Sequence, residues 1–291
     1  MPRKATMMKM LIAVAAIALA FQTAGAQGER ARRGGGGAAA PASAGANGQD
    51  ETVTKTIKDA ADALGMDRWS QVGGGRLPAV DVINTMEFWA SGTPYADYHV
   101  SLGYNPPAMR VEAARTSSDT HTFQVVSGKY AWNESELGGG LVPGKGTATP
   151  MPDLARERAL ELWILPFGVV KSAIAAGDKT KVSTEGGATV ITYPMMGQLA
   201  GVTVKATLDD KNFITKVETQ SDNPNLTMEA EYSDYKDRGE IATDVKFPGH
   251  IVEKRGGKTM VDLQVKMADC NDPYLVFPVP DNVMGPSAAG N

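Results

Sequence analysis

A two-residue hydrophobic period is the feature that most constrains the fold of this chain. It is clearest in 258-KTMVDLQVKMA-268, where Val261, Leu263, Val265 and Met267 alternate with polar residues. Successive side chains of a strand point to opposite faces, so this pattern is typical of an antiparallel strand with one dry and one wet face. Similar runs recur along most of the chain, and they predict a large antiparallel sheet.

About ten strands of this kind are predicted. They are separated by turn residues such as the Gly256-Gly257 dipeptide, which favours a tight hairpin. The predicted strands cover residues 80–92, 95–104, 108–117, 121–135, 188–195, 201–208, 212–219, 227–235, 243–255 and 258–268.

Two segments have helical periodicity instead. Residues 53–65 predict a short amphipathic helix, and 153–177 predict a longer apolar one with Asp153 as its N-cap and Gly177 at its end. Pro166 breaks the second helix near Leu165, because proline lacks the amide hydrogen that a helix interior needs. The predicted fold is therefore mainly β (α+β). It is a curved antiparallel sheet or unclosed β-barrel, whose concave face is covered by an N-terminal helix and an inserted helix pair.

The N-terminal residues predict export. Residues 1–26 have the form of a cleavable signal peptide, with a basic start, an apolar run over residues 10–21 and the small-residue site 24-AGA-26. Residues 27–52 are rich in Gly, Ala and Pro and predict a disordered tether, with a soluble spacer favoured over membrane contact through its arginines. We expect the domain to span residues 53–282 and a flexible tail to follow over 283–291.

Charge and cysteine content exclude some classes of protein. The whole chain has 29 Lys and Arg against 33 Asp and Glu, and the signal peptide holds three of the basic residues and no acidic ones. This acidic balance argues against nucleic acid as a partner, since phosphate contacts need a basic face. Cys270 is the single cysteine, so no internal disulfide can form.

No catalytic motif is apparent. His99, His121 and His250 have no metal-ligand spacing, and the chain lacks a nucleophile elbow or a phosphate-binding loop. The densest charged stretch, 231–258, alternates acids with apolar residues. We therefore assign its charges, including Glu253, Lys254 and Arg255, to ion pairs on the wet face of the sheet. We expect a protein that is not an enzyme and uses no metal or cofactor.

The remaining candidate for function is apolar surface between the sheet and the inserted helices. Such a space suits an acyl chain, although ordinary core packing is the alternative for any single residue. The candidate cavity residues are Phe88, Val100, Phe123, Trp163, Phe167, Val170, Ile174, Val204, Met228, Tyr232, Phe247, Val261 and Leu263.

A hairpin signature resembles that of a known family. In 232-YSDYKD-237, 245-VKFP-248 and 262-DLQV-265, followed by Asn271, the chain is similar to the LolA/LolB-like lipoprotein-carrier superfamily of bacterial envelopes. The closing 273-PYLVFPVP-280 adds to the likeness, which covers most of residues 53–282.

The resemblance implies an unclosed barrel with a hydrophobic cavity for lipid or lipoprotein acyl chains, in a periplasmic protein. The partner would be a lipid or an acylated protein, with peripheral membrane contact at most, and the chain is expected to be a monomer. An envelope protein-interaction or sensor module without a small ligand is the alternative, and a hydrolase is the third possibility.

Overall fold

Antiparallel strands make up most of the structure. The computed structural model describes residues 51–66, 83–118, 120–240 and 243–285. The predicted signal peptide and residues 27–50 of the predicted tether lie outside these ranges. The strands are β1 (Thr85–Thr93), β2 (Tyr95–Tyr104), β3 (Pro107–Arg115), β4 (His121–Ser127), β5 (Tyr130–Glu134), β6 (Ala148–Pro150), β7 (Lys181–Glu185), β8 (Ala188–Pro194), β9 (Thr203–Leu208), β10 (Ile214–Gln220), β11 (Glu229–Ser233), β12 (Lys236–Asp237), β13 (Lys246–Phe247), β14 (His250–Arg255) and β15 (Lys258–Cys270).

Thirteen of these strands form one sheet that does not close into a barrel. Their order is β6-β5-β4-β3-β2-β1-β15-β14-β11-β10-β9-β8-β7, and β12 and β13 form a separate two-stranded ladder. The predicted mainly β fold with an unclosed sheet is therefore confirmed. Three strands were not predicted. β6 has three residues and the side chains of β7 are nearly all exposed, so neither has a hydrophobic period, and β12 has only two residues.

The clearest predicted strand, β15, follows its alternation as far as a bulge. Val261, Leu263 and Val265 are buried, as predicted. Between Trp89 and Ala90 of β1 the pairing register then shifts by one residue on β15. An extra residue at a bulge reverses the faces that follow it. Ala268 is therefore buried, and Met267 pairs with Trp89 instead of continuing the dry face.

The helices are α1 (Glu51–Ala63), α2 (Ala155–Ile164), α3 (Pro166–Ala176) and the short α4 (Asp281–Met284). The predicted break is confirmed. Leu165 has a non-helical ψ of 149°, Pro166 is the first residue of α3, and the helices meet at 98°. Pro is well suited to this first position, where its missing amide hydrogen costs nothing. Asp153 is not the N-cap, because it lies in a 3-10 turn over Pro152–Leu154 and α2 begins after it.

The helix pair, α2 and α3, lies inside the curve of the sheet. Helix α2 contacts β3, β4 and β5 from one half of the sheet, whereas α3 contacts β8 from the other half and also α1. One hydrophobic cluster joins the buried residues of these helices to those of the strands. A smaller cluster of Val125, Trp132 and Ala148 lies apart, with Val279 and Val283 packed against it.

Helix α1 is fixed to the strand region at its C-terminal end. The amide of Lys246 donates to the carbonyl of Leu64 at 3.0 Å. Gly65 has a φ of 76°, and a Cβ at this position would lie 2.3 Å from the carbonyl oxygen of Asp244. Glycine is required here both by conformation and by space.

Among the described residues no single helix is long and apolar enough to cross a membrane. Only the bent pair α2–α3, taken together, has the length and apolar composition of a membrane span.

Candidate functional site

Most of the predicted cavity residues lie in the main core. Ten of the thirteen are buried members of one cluster, which contains Phe88, Val100, Phe167, Val170, Val204, Met228, Tyr232, Phe247, Val261 and Leu263. The rings of Phe88 and Phe247 are 5.1 Å apart and those of Phe167 and Phe247 are 5.8 Å apart. Aromatic side chains therefore fill the space between α3 and the strands at this point.

The other three predicted residues are placed differently. Trp163 and Ile174 are half-buried and pack against the edge of the main cluster. Phe123 pairs in register with Glu112 and Glu134 and shares its strand face with Val125, a member of the smaller cluster. Because successive side chains of a strand point to opposite faces, Phe123 lies on the other face of β4 from Val126, which belongs to the main cluster.

A pocket of about 410 Å³ lies beside the helix pair, at the end of the sheet where three turns approach it. Of the predicted residues, Trp163 is the one that lines it. The lining residues are Pro107, Gly128, Lys129, Trp163, Ser172, Ala175, Met195, Met196, Gly197, Gln198 and Leu199. Lys129 and Met196 are exposed, so the pocket opens at the surface.

The loop between β8 and β9 forms one wall of this pocket. Met195 and Leu199 are buried and attach the loop to the main cluster, whereas Met196 is 51% exposed. Arg156 of α2 connects the loop to the helix pair. Its guanidinium donates to the carbonyls of Gln198 at 2.8 Å and Ala200 at 2.9 Å. The loop has no hydrophobic period, so its sequence does not indicate that it forms part of a pocket.

The pocket has few polar side chains, and one of them, Ser172, is hydrogen-bonded to groups behind the wall. Ser172 of α3 donates to the carbonyl of Gly168 at 2.6 Å, and its oxygen lies 2.9 Å from the hydroxyl of Tyr193. Burial raises the pKa of Tyr193, so its hydroxyl stays neutral. An apolar wall with a few fixed polar groups is typical of a small-molecule site.

An aromatic and cationic group lies next to Trp163. The ring of Tyr104 is 5.5 Å from Trp163, and the buried amine of Lys171 lies 5.2 Å from the centre of the Tyr104 ring. Burial also raises the pKa of Tyr104. This packing fixes Trp163 at the break between α2 and α3.

A charged group lies on the core side of the sheet, beneath α2. The guanidinium of Arg255 contacts Glu157 and also Glu161, the latter at 2.7 Å. Burial raises the pKa of Glu253 to about 8, with the charge of Glu161 as the second cause. The prediction that Glu253 and Arg255 lie on the wet face is wrong, because the alternation of β14 turns both toward the helix.

The wet face of the same strands does contain the predicted ion pairs. Lys254 lies 2.5 Å from Glu231 and 3.1 Å from Glu229, and Glu229 also pairs with Lys216 at 2.8 Å. Lys216 lowers the pKa of Glu229 most, and Lys254 lowers it further. These partly exposed cross-strand pairs hold neighbouring strands in register.

The residues of the family-like signature have structural contacts. The hydroxyl of Tyr232 donates to the carbonyl of Ile164 at 2.9 Å, at the end of α2. The hydroxyl of Tyr235 donates to the carbonyl of Ile214 at 2.6 Å. The carboxylate of Asp237 accepts the amides of Thr243 and Asp244, each at 2.6 Å.

Gly249, which directly follows the 245-VKFP-248 part of the signature, is required by close packing. A Cβ there would lie 1.8 Å from the guanidinium of Arg238 and 2.5 Å from the carboxylate of Asp234. Only glycine leaves room for that ion pair over the backbone. The signature therefore specifies how a hairpin and the helix pair fit together.

Each histidine pairs with a carboxylate. His99 lies 3.0 Å from Glu87, His121 lies 2.9 Å from Glu112, and His250 lies 2.7 Å from Asp262. Within the described ranges, no group of three His, Cys, Asp or Glu side chains could hold a metal ion. Cys270 is half-buried against the main cluster.

Two solved structures resemble this one. A LolA superfamily protein from Nitrosomonas europaea is 10% identical over 76% of this chain and 94% of its own, with a TM-score of 0.42. A domain described as an outer membrane lipoprotein-sorting protein, from Vibrio parahaemolyticus, is 11% identical with the same coverage and a TM-score of 0.40. The first is a member of the superfamily that the sequence signature resembles. At these identities the likeness concerns the fold alone.

Compared by sequence with protein-family models and with curated proteins, the chain has no match.

Proposed function

We propose that this protein binds or carries a lipid-like ligand, such as an acyl chain or the lipid of a lipoprotein, in the bacterial periplasm. The pocket beside the helix pair supports the proposal. Its volume of about 410 Å³ falls in the range of small-molecule sites, about 300–1,000 Å³. Trp163, Met195 and Leu199 offer an apolar surface, and methionine adapts readily to flexible chains. The signal-peptide pattern of residues 1–26 supports export.

Trp163 lines the pocket and also packs against the main core. The predicted residues behind it, such as Phe167 and Phe247, are packed against one another. A ligand longer than the pocket would therefore require the helix pair to move away from the sheet. Arg156 is placed to resist that movement, because its two hydrogen bonds join α2 to the pocket wall.

Filling the pocket tests the proposal. Ala175 is exposed and lines the pocket, so Ala175→Trp adds bulk without disturbing the core. We expect the variant to bind a fluorescent fatty acid, cis-parinaric acid, at least about tenfold more weakly than the wild type, a loss of about 1.4 kcal/mol. Thr184→Trp on the exposed strand β7 is the matched control and should bind normally.

Two outcomes would contradict the proposal. One is a wild-type protein that takes up no fatty acid and, in native mass spectrometry of material purified from an envelope fraction, holds no lipid. The other is equal binding by the wild type and Ala175→Trp, which would place any ligand elsewhere.

A protein-interaction module is the second candidate function. Tyr274 and Val276 lie in the segment that follows β15 and are 86% and 69% exposed. Exposed aromatic and aliphatic side chains of this kind are common at protein interfaces. If no lipid is bound, the double variant Tyr274→Ser, Val276→Ser should abolish association with an envelope protein that the wild type binds in a purified mixture. An unchanged affinity would exclude this surface.

A further inference from the structure

Three carboxylates surround one guanidinium where α2 meets β14. Arg255 of β14 contacts both Glu157 and Glu161 of α2. Glu253 lies two residues before Arg255 and therefore on the same face of the strand. The side chains of Arg255, Glu157 and Glu161 are each about a quarter exposed, at 23%, 24% and 26%, so water screens this group only in part.

The position of Glu253 is set by its neighbours in the sheet. It pairs with Ala230 of β11 on one side and Val261 of β15 on the other, and both are buried in the main cluster. Its carboxylate consequently points from the core face toward α2. Within the part of the chain that the structure describes, Glu253 has no ion pair or side-chain hydrogen bond, since Arg255 is occupied by α2.

The other titratable groups facing this point do not supply the missing charge. Arg158 of α2 directs its guanidinium to the carbonyls of Val125 and Trp132 and to Asn133, away from β14. Tyr98 of β2 and Tyr232 of β11 also face the carboxylates. Burial raises the pKa of Tyr98 and of Tyr232, so these two phenols remain neutral.

We propose that the contact between α2 and β14 is a pH-dependent junction, in which a proton held by the carboxyl of Glu253, beside the Arg255–Glu161 ion pair, keeps α2 against the sheet. When that proton is lost, two carboxylates repel each other in a half-buried gap that has one committed arginine. Like charges at such a site disfavour the ionised form of both, so one carboxyl stays protonated until the pH rises. Loss of the proton loosens the N-terminal part of the helix pair.

The direction of the effect follows from the shift. The pKa of Glu253 is raised to about 8 by burial first and then by Glu161. The folded protein therefore holds a proton that the unfolded chain has already released. The stabilisation is complete below the unfolded pKa and is lost as the pH rises toward about 8. Over that interval the unfolding equilibrium constant increases by up to about tenfold per pH unit.

Denaturant unfolding followed by circular dichroism, between about pH 5 and about pH 8, tests the junction. Glu253→Gln is isosteric and cannot ionise. We therefore expect its unfolding equilibrium constant to rise less steeply with pH than that of the wild type, by a factor of up to about ten per pH unit. The matched control is Glu231→Gln, on the wet face of the neighbouring strand, which should retain the wild-type dependence. Equal pH dependence in the wild type and Glu253→Gln would overturn the proposal.

Two further measurements on the folded protein test the same point if Glu253→Gln does not fold. Carboxyl carbon resonances of the wild type, followed by NMR, should include one glutamate that titrates well above the usual range. Amide hydrogen exchange, corrected for its intrinsic pH dependence, should show lower protection of α2 than of α3 at the alkaline end. Titration of every glutamate in the ordinary range, near pH 4, would overturn the proposal.

Discussion

The two faces of β14 hold the same kinds of residue and give them different environments. Lys254 points outward and pairs with Glu229 and Glu231 of the next strand. Glu253 and Arg255, its direct neighbours in sequence, point inward to α2. The outward carboxylates have a cation within reach and water around them, whereas Glu253 has an apolar neighbour on each side. Charge density in a sequence therefore does not show whether the charges are solvated; the face of the strand does.

The largest difference between the faces is expected at β13. Phe247 is buried and contacts Phe88 and Phe167, whereas the adjacent Lys246 is exposed. Phe247→Ala should lower the free energy of unfolding by about 3–5 kcal/mol, through lost burial and the cavity left behind. Lys246→Ala should change it by less than about 0.5 kcal/mol. Guanidinium unfolding followed by circular dichroism measures both, and similar losses would refute the assignment of faces.

A smaller effect is expected where the core face meets the helix break. The Tyr232 hydroxyl is buried and donates to the carbonyl of Ile164. Tyr232→Phe keeps the ring but leaves that carbonyl without this donor, so stability should fall by about 1–3 kcal/mol. Amide exchange should rise first around residues 164–169. A variant as stable as the wild type would mean that the bond does not hold the break in place.

Removal of an outward cation should matter less. Lys254→Ala removes two partly exposed ion pairs, and at low salt we expect a smaller loss of stability than for Tyr232→Phe. The difference from the wild type should shrink in about 1 M sodium chloride, where the screening length is only about 3 Å. Thermal unfolding at two salt concentrations measures this. A salt-independent loss would indicate that the packing of the lysine stem, not its charge, is responsible.

The smallest effect is expected for Glu229, and it has the opposite pH dependence to Glu253. Lys216 and then Lys254 lower the pKa of Glu229, so its contribution is present above the unfolded pKa and is lost as the pH falls through the folded one. Glu229→Gln should lose less than about 1 kcal/mol at neutral pH. In acid, the variant and the wild type should converge in stability. A gap that persists at a pH where Glu229 is protonated in both the folded and the unfolded state would contradict the ion pair as its cause.

Sequence periodicity predicted the sheet and the helix break for physical reasons that are local. Alternation identified β15, and Pro166 alone fixed the end of α2. The Gly256-Gly257 dipeptide, with φ values of 55° and 74°, joins β14 to β15 as the turn chemistry predicts. Each of these features depends on residues that are adjacent in the chain.

The features that the sequence did not predict depend on contacts between distant segments. The bulge that turns Met267 to the other face exists only in the pairing of β15 with β1. The inward position of Glu253 is set by its pairing with Ala230 of β11 and Val261 of β15, which are buried. The pocket is built from three turns and two helices, and of its lining only Trp163 was predicted. The periodicity of one segment does not indicate which distant segments it will contact.

The strand order has a consequence for the way the molecule forms. β1 and β15 are neighbours near the middle of the sheet, where Met86 pairs with Cys270. The strands from β1 to β6 are joined in sequence by local hairpins, and so are those from β7 to β10. The pairing of β1 with β15, in contrast, joins residues from the two ends of the domain. Closing such a long loop has an entropic cost, which slows folding. Each half of the sheet can form from local hairpins. In a newly made chain, however, the two halves form one continuous sheet only after β15, which ends at Cys270, has paired with β1.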